Sequence, residues 1–180
     1  MNPIAILPRI ARKLRTEGLR ETLQIVRKNI ILERWDFLNR RYDARHHVDT
    51  RGSIQPIELD IASDNKRFGT RYEPTPVKTF RSTMSNLPVD LRGFVFVDFG
   101  SGKGRALLLA SEYNFKRIVG VEYAKDLNGI AQQNIRSYWN REQRCVDISS
   151  VHCDAAVFGI PEDPCVLYFY QPFEIGRAHV

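Results

Sequence analysis

The stretch VFVDFGSGKGRALLLA, residues 95–110, constrains the fold more than any other part of the sequence. The run FVFVDF over residues 94–99 is apolar, β-branched and aromatic, which predicts a buried β-strand. Three glycines follow within five positions, and the chain then turns apolar again in a pattern that predicts a helix over 103–113. Because glycine lets a backbone approach a ligand closely, the turn between this strand and this helix is the first candidate site.

Strands and helices alternate throughout the part of the chain that follows Phe94. Three more strands are predicted at residues 116–123, 147–155 and 165–173, and a second helix at residues 124–139. Strand–helix–strand repetition of this kind implies a right-handed, parallel α/β sheet.

The segments before this sheet have a different character. Residues 4–40 are predicted to be helical, since apolar side chains recur at i, i+3 and i+4 between basic ones, with a break at Gly18. Residues 54–61 predict a short strand or an extended segment, and Pro56 favours an edge position for it. The sequence YEPTP, residues 72–76, predicts a stiff loop because each residue before a proline is pushed to extended conformations; a helix to about Leu87 follows it.

The net charge of +6 is concentrated at the start of the chain. Residues 1–51 hold twelve Lys and Arg against six Asp and Glu, whereas residues 52–180 hold fifteen of each. One interpretation is a helical appendage that buries its apolar stripe and leaves the basic residues in water. The alternative is a surface that meets anionic membrane lipid or nucleic acid.

Cysteine and histidine give no sign of a metal centre. Cys145, Cys153 and Cys165 lack C-x-x-C spacing, which favours reduced thiols over a zinc site or a disulfide framework. His46 and His47 lie in a polar stretch and are predicted to be surface-loop residues. Basic residues interrupt the N-terminal apolar positions, so a secretory signal is not expected and a cytoplasmic location is the default.

The spacing of the glycines separates three classes of ligand. A triphosphate loop, G-x-x-x-x-G-K-[ST], would need glycine at Val97 and Ser or Thr at Gly104, and both positions fail. The dinucleotide pattern G-x-G-x-x-G/A fails at its third position, where Arg105 stands. Asp98 would also place a carboxylate near a pyrophosphate. A cofactor with a cationic near end and no phosphate suits this turn better.

With these motifs in this order, residues 70–173 resemble the class I S-adenosylmethionine-dependent methyltransferases. The resemblance implies a Rossmann-like sheet and a role for the glycine turn in binding S-adenosyl-L-methionine. Glu122, 24 residues after Asp98, is similar to the acid that takes the ribose hydroxyls, and Asp154 to the acid that accepts the adenine amino group. The implied cofactor-binding residues in this region are Asp98, Gly100, Ser101, Gly102, Gly104, Glu122, Asp154 and Ala155.

Two further motifs extend the resemblance. Tyr170-Gln171-Pro172-Phe173 is similar to the Asn/Asp-Pro-Pro-aromatic motif of amino-group methyltransferases, with Gln for Asn and one proline missing, and implies that these four residues are catalytic. The YEPTP loop ahead of the glycine turn resembles the Dot1-like protein-lysine methyltransferases and their bacterial relatives. By that likeness Tyr72 and Thr75 become candidate cofactor contacts, and a protein lysine the favoured methyl acceptor.

The family's sheet usually has seven strands, and only four can be counted here. The ending EIGRAHV is also what one frame of a common sequencing adapter encodes, so we expect a truncated chain with a non-native tail. The expected domains are a basic helical segment at 1–50, a connecting and cofactor-capping segment at 51–90, a truncated S-adenosylmethionine-binding domain at 91–173 and the tail at 174–180. The predicted function is methyl transfer to a nitrogen of a protein lysine or to another acceptor, with RNA and small molecules left open. This fragment itself is expected to be inactive if truncated. The alternatives are an NAD-dependent oxidoreductase and a non-catalytic cofactor-binding fragment with a basic interaction segment.

Overall fold

The computed structural model describes residues 6–62 and 69–172 of the chain. Within the first helix, side chains are described from Gly18 onward, apart from Thr22. The candidate residue Phe173 and the tail at 174–180 lie outside the described residues. The chain divides into two compact units, Met1–Tyr42 and Asp43–Val180.

The first helix, α1, spans Ile6–His46 and is interrupted at Gly18, where φ is 83° and ψ is 167°. It therefore contains the break expected from the sequence, but it continues past residue 40. Leu19, Leu23 and Ile30, which one of the two interpretations of this segment buries, are exposed. Across the described residues, no helix is long and apolar enough to cross a membrane.

Four parallel strands form the sheet of the second unit, in the order β3-β2-β1-β4. They are β1 (Val95–Phe99), β2 (Arg117–Glu122), β3 (Ile148–His152) and β4 (Cys165–Phe169). Every residue of β1 is buried, as its continuous apolar sequence predicts. The parallel α/β class and the four strands expected from the sequence are thus confirmed, although each strand after β1 is shorter than its predicted range.

Three helices accompany the sheet: α2 (Val77–Ser85), α3 (Arg105–Ala110) and α4 (Lys125–Ser137). All six residues of α3 are buried. This helix is shorter than the range 103–113 predicted from the sequence, and it begins at Arg105 because Gly104 adopts a left-handed conformation and forms its N-cap. On one side of the sheet, Phe80 of α2 packs edge-on against Phe96 at 5.9 Å and Tyr168 at 5.3 Å between ring centroids.

Of the two alternatives expected for residues 54–61, the edge strand is wrong. Pro56–Glu58 instead form a 3-10 turn, in which the Glu58 carboxylate accepts the main-chain N–H of Gln55 at 2.8 Å. A proline in a first helical turn loses no hydrogen bond, whereas in a ladder it would. Only Ile54 pairs as a strand would: its N–H and C=O bond to Tyr72 at 3.2 and 2.8 Å, which holds the start of the 72–76 loop.

The expectation of two surface-loop histidines fails for His46. This residue ends α1 and is buried, with Nδ1 3.0 Å from the carbonyl oxygen of Trp139 and its ring 5.4 Å from that of Tyr138. His47 is exposed. Among the described residues, no group of three or more His, Cys, Asp or Glu is placed to hold a metal ion.

Candidate functional site

The carboxyl ends of β1 and β2 bring two buried acids to the same edge of the sheet. Asp98, opposite Gly120 in the register, is 3% exposed, and Glu122, which ends β2, is 2% exposed. The Asp98 carboxylate makes no hydrogen bond or ion pair with any residue that the structure describes, and it lines a cleft with Thr75 and Tyr170. Burial, reinforced by the nearby Glu122 charge, raises the pKa of Asp98 to about 8. The sheet edge therefore holds a carboxylate that no described cation neutralises.

Glu122 is held firmly by the main chain. Its Oε2 accepts the N–H of Gly102 at 2.7 Å, and its Oε1 accepts the N–H of Ala124 at 2.9 Å. Burial raises the pKa of Glu122, and these backbone donors work in the opposite direction. Tyr123 is a third main-chain donor to this carboxylate, which thus fixes the glycine turn and keeps one lone-pair site for another donor.

Pro172 and Tyr72 pack closely against the glycine turn. Gly100 and Gly102 have φ of 78° and 54°, in the left-handed region that glycine adopts without strain. A Cβ at Gly100 would lie 2.6 Å from the Cβ of Pro172, and one at Gly102 would overlap the ring of Tyr72. Ser101 is buried, and its Oγ has no hydrogen-bond partner among the described residues. Both glycines are therefore required by space as well as by conformation.

The YEPTP loop lies over this turn. The Tyr72 hydroxyl donates to the carbonyl oxygen of Thr50 at 2.6 Å, and burial raises its pKa above the ordinary range. Thr75 is buried and hydrogen-bonded to the Tyr168 hydroxyl, whose pKa is raised to about 12, chiefly by burial. The loop is thereby anchored at both ends, to the chain after α1 and to β4.

Two clefts meet at this edge of the sheet, and Tyr72, Glu73, Gly100 and Tyr170 line both. The first cleft adds Thr75, Asp98 and Ser101, and the second adds Gly102, Glu122, Gln171 and Pro172. The structure thus brings together most of the candidate residues taken from the sequence.

Three candidates lie apart from the clefts. Asp154 and Ala155 follow β3 and line neither cleft; Oδ1 of Asp154 accepts the N–H of Ala156 at 2.9 Å. The Asp154 charge still raises the pKa of Tyr123, after the larger effect of burial, and Tyr123 lines the second cleft. Gly104 also lies outside the clefts, and a Cβ there would be 3.3 Å from that of Ala131, so this glycine allows α3 and α4 to pack closely.

The segment after β4 approaches the glycine turn from the other side. Tyr170 lines both clefts, and Pro172 contacts Gly100. Gln171 has a φ of 49°, which is unusual for a residue with a side chain, and its carbonyl oxygen accepts the hydroxyl of Thr70. This carbonyl is therefore already engaged.

Sequence reasoning missed a buried ion pair beneath the turn. Arg105 is 2% exposed, donates from Nε to Thr50 Oγ1 at 2.5 Å and from Nη2 to Asp43 Oδ1 at 3.0 Å. The other Asp43 oxygen accepts the N–H groups of Thr50 and Arg51 at 3.0 and 2.9 Å. An arginine at the start of the apolar run ALLLA was the available signal, since a buried guanidinium requires a carboxylate.

Lys103 is anchored in the same direction. Its Nζ donates to Asp49 at 3.2 Å and to the carbonyl oxygen of Arg51 at 2.9 Å. The sequence places Lys103 in the first turn of the helix; the structure places it before α3, which begins at Arg105. Both basic side chains of the glycine turn are thus bonded to residues 43–51, and Arg105 also lines the first cleft.

Two solved structures of methyltransferases are similar to part of this chain. No protein-family model matches the sequence, and no curated protein matches it. An RNA methyltransferase from Salinibacter ruber is similar with 27% identity and a TM-score of 0.42, over 53% of this chain and 60% of that one. A SAM-dependent methyltransferase from Geobacter sulfurreducens is similar with 18% identity and a TM-score of 0.39, over 52% of this chain and 36% of that one. The matched region spans less than two thirds of either protein, and both were solved in complex with S-adenosyl-L-homocysteine.

Proposed function

We propose that this chain carries the cofactor site of an S-adenosylmethionine-dependent methyltransferase. The observation that supports it most is Asp98, a carboxylate 3% exposed, which lines a cleft beside a glycine turn and has no cationic partner among the described residues. S-adenosylmethionine presents an ammonium and a sulfonium and has no phosphate, and it supplies an activated methyl group. Bound here, its ammonium would neutralise Asp98.

The other residues of the site fit this cofactor. Glu122 lines the second cleft, and its three main-chain donors leave one lone-pair site that could accept a ribose hydroxyl. Gly100 and Gly102 place bare backbone where the cofactor would lie. Entry requires the Tyr72 ring to leave Gly102 and Pro172 to leave Gly100, since these side chains now cover the two glycines.

The arrangement disfavours a dinucleotide. A pyrophosphate at this turn would lie near the acids Asp98 and Glu122, and like charges in a buried site repel strongly. Among the described residues, Lys103 and Arg105 are bonded to residues 43–51, and Arg71, which lines the second cleft, is paired with Glu73. An NAD-dependent activity therefore lacks the donors that it needs at this turn.

Calorimetric titration distinguishes these cofactors. We expect the chain to bind S-adenosylhomocysteine and to give no measurable heat with NAD. An Asp90→Asn variant, which changes an exposed acid outside the clefts, should bind S-adenosylhomocysteine as the unaltered chain does. Binding of NAD without binding of S-adenosylhomocysteine would show that the proposal is wrong.

We further propose that the methyl acceptor is a nitrogen, favouring a protein lysine. Support comes from Tyr170-Gln171-Pro172, which lies beside the glycine turn with an exposed glutamine that can accept hydrogen bonds from an amine. Tyr170 lines the same cleft and supplies an aromatic ring there. Because an ammonium must lose its proton before it can take a methyl group, apolar surroundings that lower a lysine pKa assist the reaction.

A transfer assay with labelled S-adenosylmethionine tests the acceptor. Poly-lysine, RNA and small primary amines should be offered separately, and we expect label on poly-lysine. Gln171→Ala should lower kcat about tenfold with an unchanged Kd for S-adenosylhomocysteine. Gln133→Ala, on the exposed side of α4, is the matched control. Label on RNA alone would contradict a lysine acceptor while leaving the cofactor site in place.

A further inference from the structure

The part of α1 between Leu19 and Arg41 exposes a row of large apolar side chains. This apolar stripe consists of Leu19, Leu23, Ile30 and Phe37, which are 66%, 52%, 58% and 61% exposed. Their spacings of four and seven residues place them nearly in line along the helix, since seven residues make almost two turns. Four exposed large side chains in line are more than the isolated apolar residues that protein surfaces commonly show.

A row of arginines runs beside the apolar stripe. This arginine ladder consists of Arg20, Arg27, Arg34 and Arg41, each seven residues after the one before. All four are exposed, and none forms a hydrogen bond or an ion pair with another residue that the structure describes. At about 100° of rotation per residue, the ladder follows one flank of the stripe along its whole length.

A second copy of this chain suits the pattern poorly. Seven-residue spacing is also found in coiled coils, but pairing two such helices would set arginine ladders along the flanks of a shared seam. Like charges at these flanking positions disfavour pairing. Glu33, which lies at the edge of the stripe, would add a carboxylate to that seam.

Nucleic acid suits only half of the pattern. Phosphates would attract the arginine ladder, but the apolar stripe would stay in water or lose contact with the groove. A surface of anionic lipid accommodates both rows, because phosphate groups lie next to an apolar boundary in the same plane.

We propose that the helix face formed by the apolar stripe and the arginine ladder binds flat on an anionic lipid surface. The stripe enters the boundary between headgroups and acyl chains, and the ladder contacts the lipid phosphates. This role is independent of the cofactor site in the second unit.

Vesicle flotation with the full 180-residue chain tests the proposal. We expect the chain to float with vesicles of phosphatidylcholine and phosphatidylserine and to stay behind with phosphatidylcholine alone. Arg27→Gln with Arg34→Gln should lower the partition coefficient about thirtyfold. Ile30→Asn with Phe37→Asn should lower it about a hundredfold.

Matched controls separate this face from general charge and from unfolding. Lys28→Gln with Arg141→Gln removes the same charge, at exposed positions away from the ladder, and should float as the unaltered chain does. Circular dichroism melts should match for all variants, because every changed side chain is exposed. Equal flotation of the stripe variant and the unaltered chain would overturn the proposal. Two other outcomes would also overturn it, if neither chain floats with vesicles. One is a concentration-dependent dimer that the stripe variant abolishes, and the other is binding to a labelled oligonucleotide that the stripe variant abolishes.

Discussion

Asp98→Asn is expected to weaken S-adenosylhomocysteine binding about a hundredfold and at the same time to raise the melting temperature of the ligand-free chain at pH 8. The loss of binding follows because an amide cannot neutralise the cofactor's ammonium. The gain in stability follows from burial, which raises the pKa of Asp98 to about 8. In the unfolded chain the same carboxyl ionises near pH 4.

The direction of the pH dependence follows from these two pKa values. Asp98 favours the folded state fully only below about pH 4, and this contribution is lost as the pH rises through about 8. Asparagine has no proton to lose, so the two chains should melt together near pH 4 and diverge by pH 8. Affinity of the unaltered chain should rise between pH 6 and pH 8, whereas that of Asp98→Asn should stay flat. A destabilised variant would show that burial does not raise the pKa of Asp98. Equal pH dependence of the affinity in both chains would show that Asp98 does not face the cofactor's cation.

Arg105→Met is expected to lower the free energy of unfolding by about 3 kcal/mol. The reason is that Asp43 would keep a buried charge without its guanidinium, while Arg105 itself is 2% exposed. This loss is at the low end of what removing one partner of a buried ion pair usually costs, because Asp43 retains three other donors, from Thr50 and Arg51. For a chain of this size the melting temperature should fall by about 10 °C.

A double-mutant cycle tests the cause of that loss. Asp43→Asn removes the charge that Arg105 leaves behind, so Asp43→Asn with Arg105→Met should be less destabilised than the two single effects together predict. Denaturant melts of the four chains give the coupling free energy. Arg92→Met, which breaks an exposed pair with Asp90, is the matched control and should change stability by less than about 1 kcal/mol. Additive effects in the cycle would contradict a direct interaction between Asp43 and Arg105.

The sequence predicts the sheet and its sharpest turn because both are local patterns. The apolar run of β1 and the glycines after it each have a direct physical meaning, and the structure has the strand and the turn where they are expected. The edge strand over 54–61 fails because local alternation competes with a proline that caps a 3-10 turn. His46 is misjudged because its burial depends on Trp139, which lies 93 residues further along the chain.

The candidate site divides in the same way. Asp98 and Glu122 come together because parallel strands end at one edge of a sheet, which the strand pattern already implies. The Arg105–Asp43 pair could not be predicted, because no local sequence pattern indicates a partner 62 positions away. The position of Asp154 outside the clefts depends on how the chain leaves β3, and no periodicity encodes that path.

The strand order has a consequence for how such a groove arises. β1 lies between β2 and β4 in the sheet. The chain goes from β1 to β2 and β3 on one side, and only then returns to place β4 on the other side of β1. This is a topological switch point, where successive connections leave in opposite directions and a crevice opens at the carboxyl ends. The glycine turn after β1 and the Tyr170-Gln171-Pro172 segment after β4 line the two sides of this crevice. The crevice therefore follows from chain connectivity, and the side chains that line it determine only which ligand it binds.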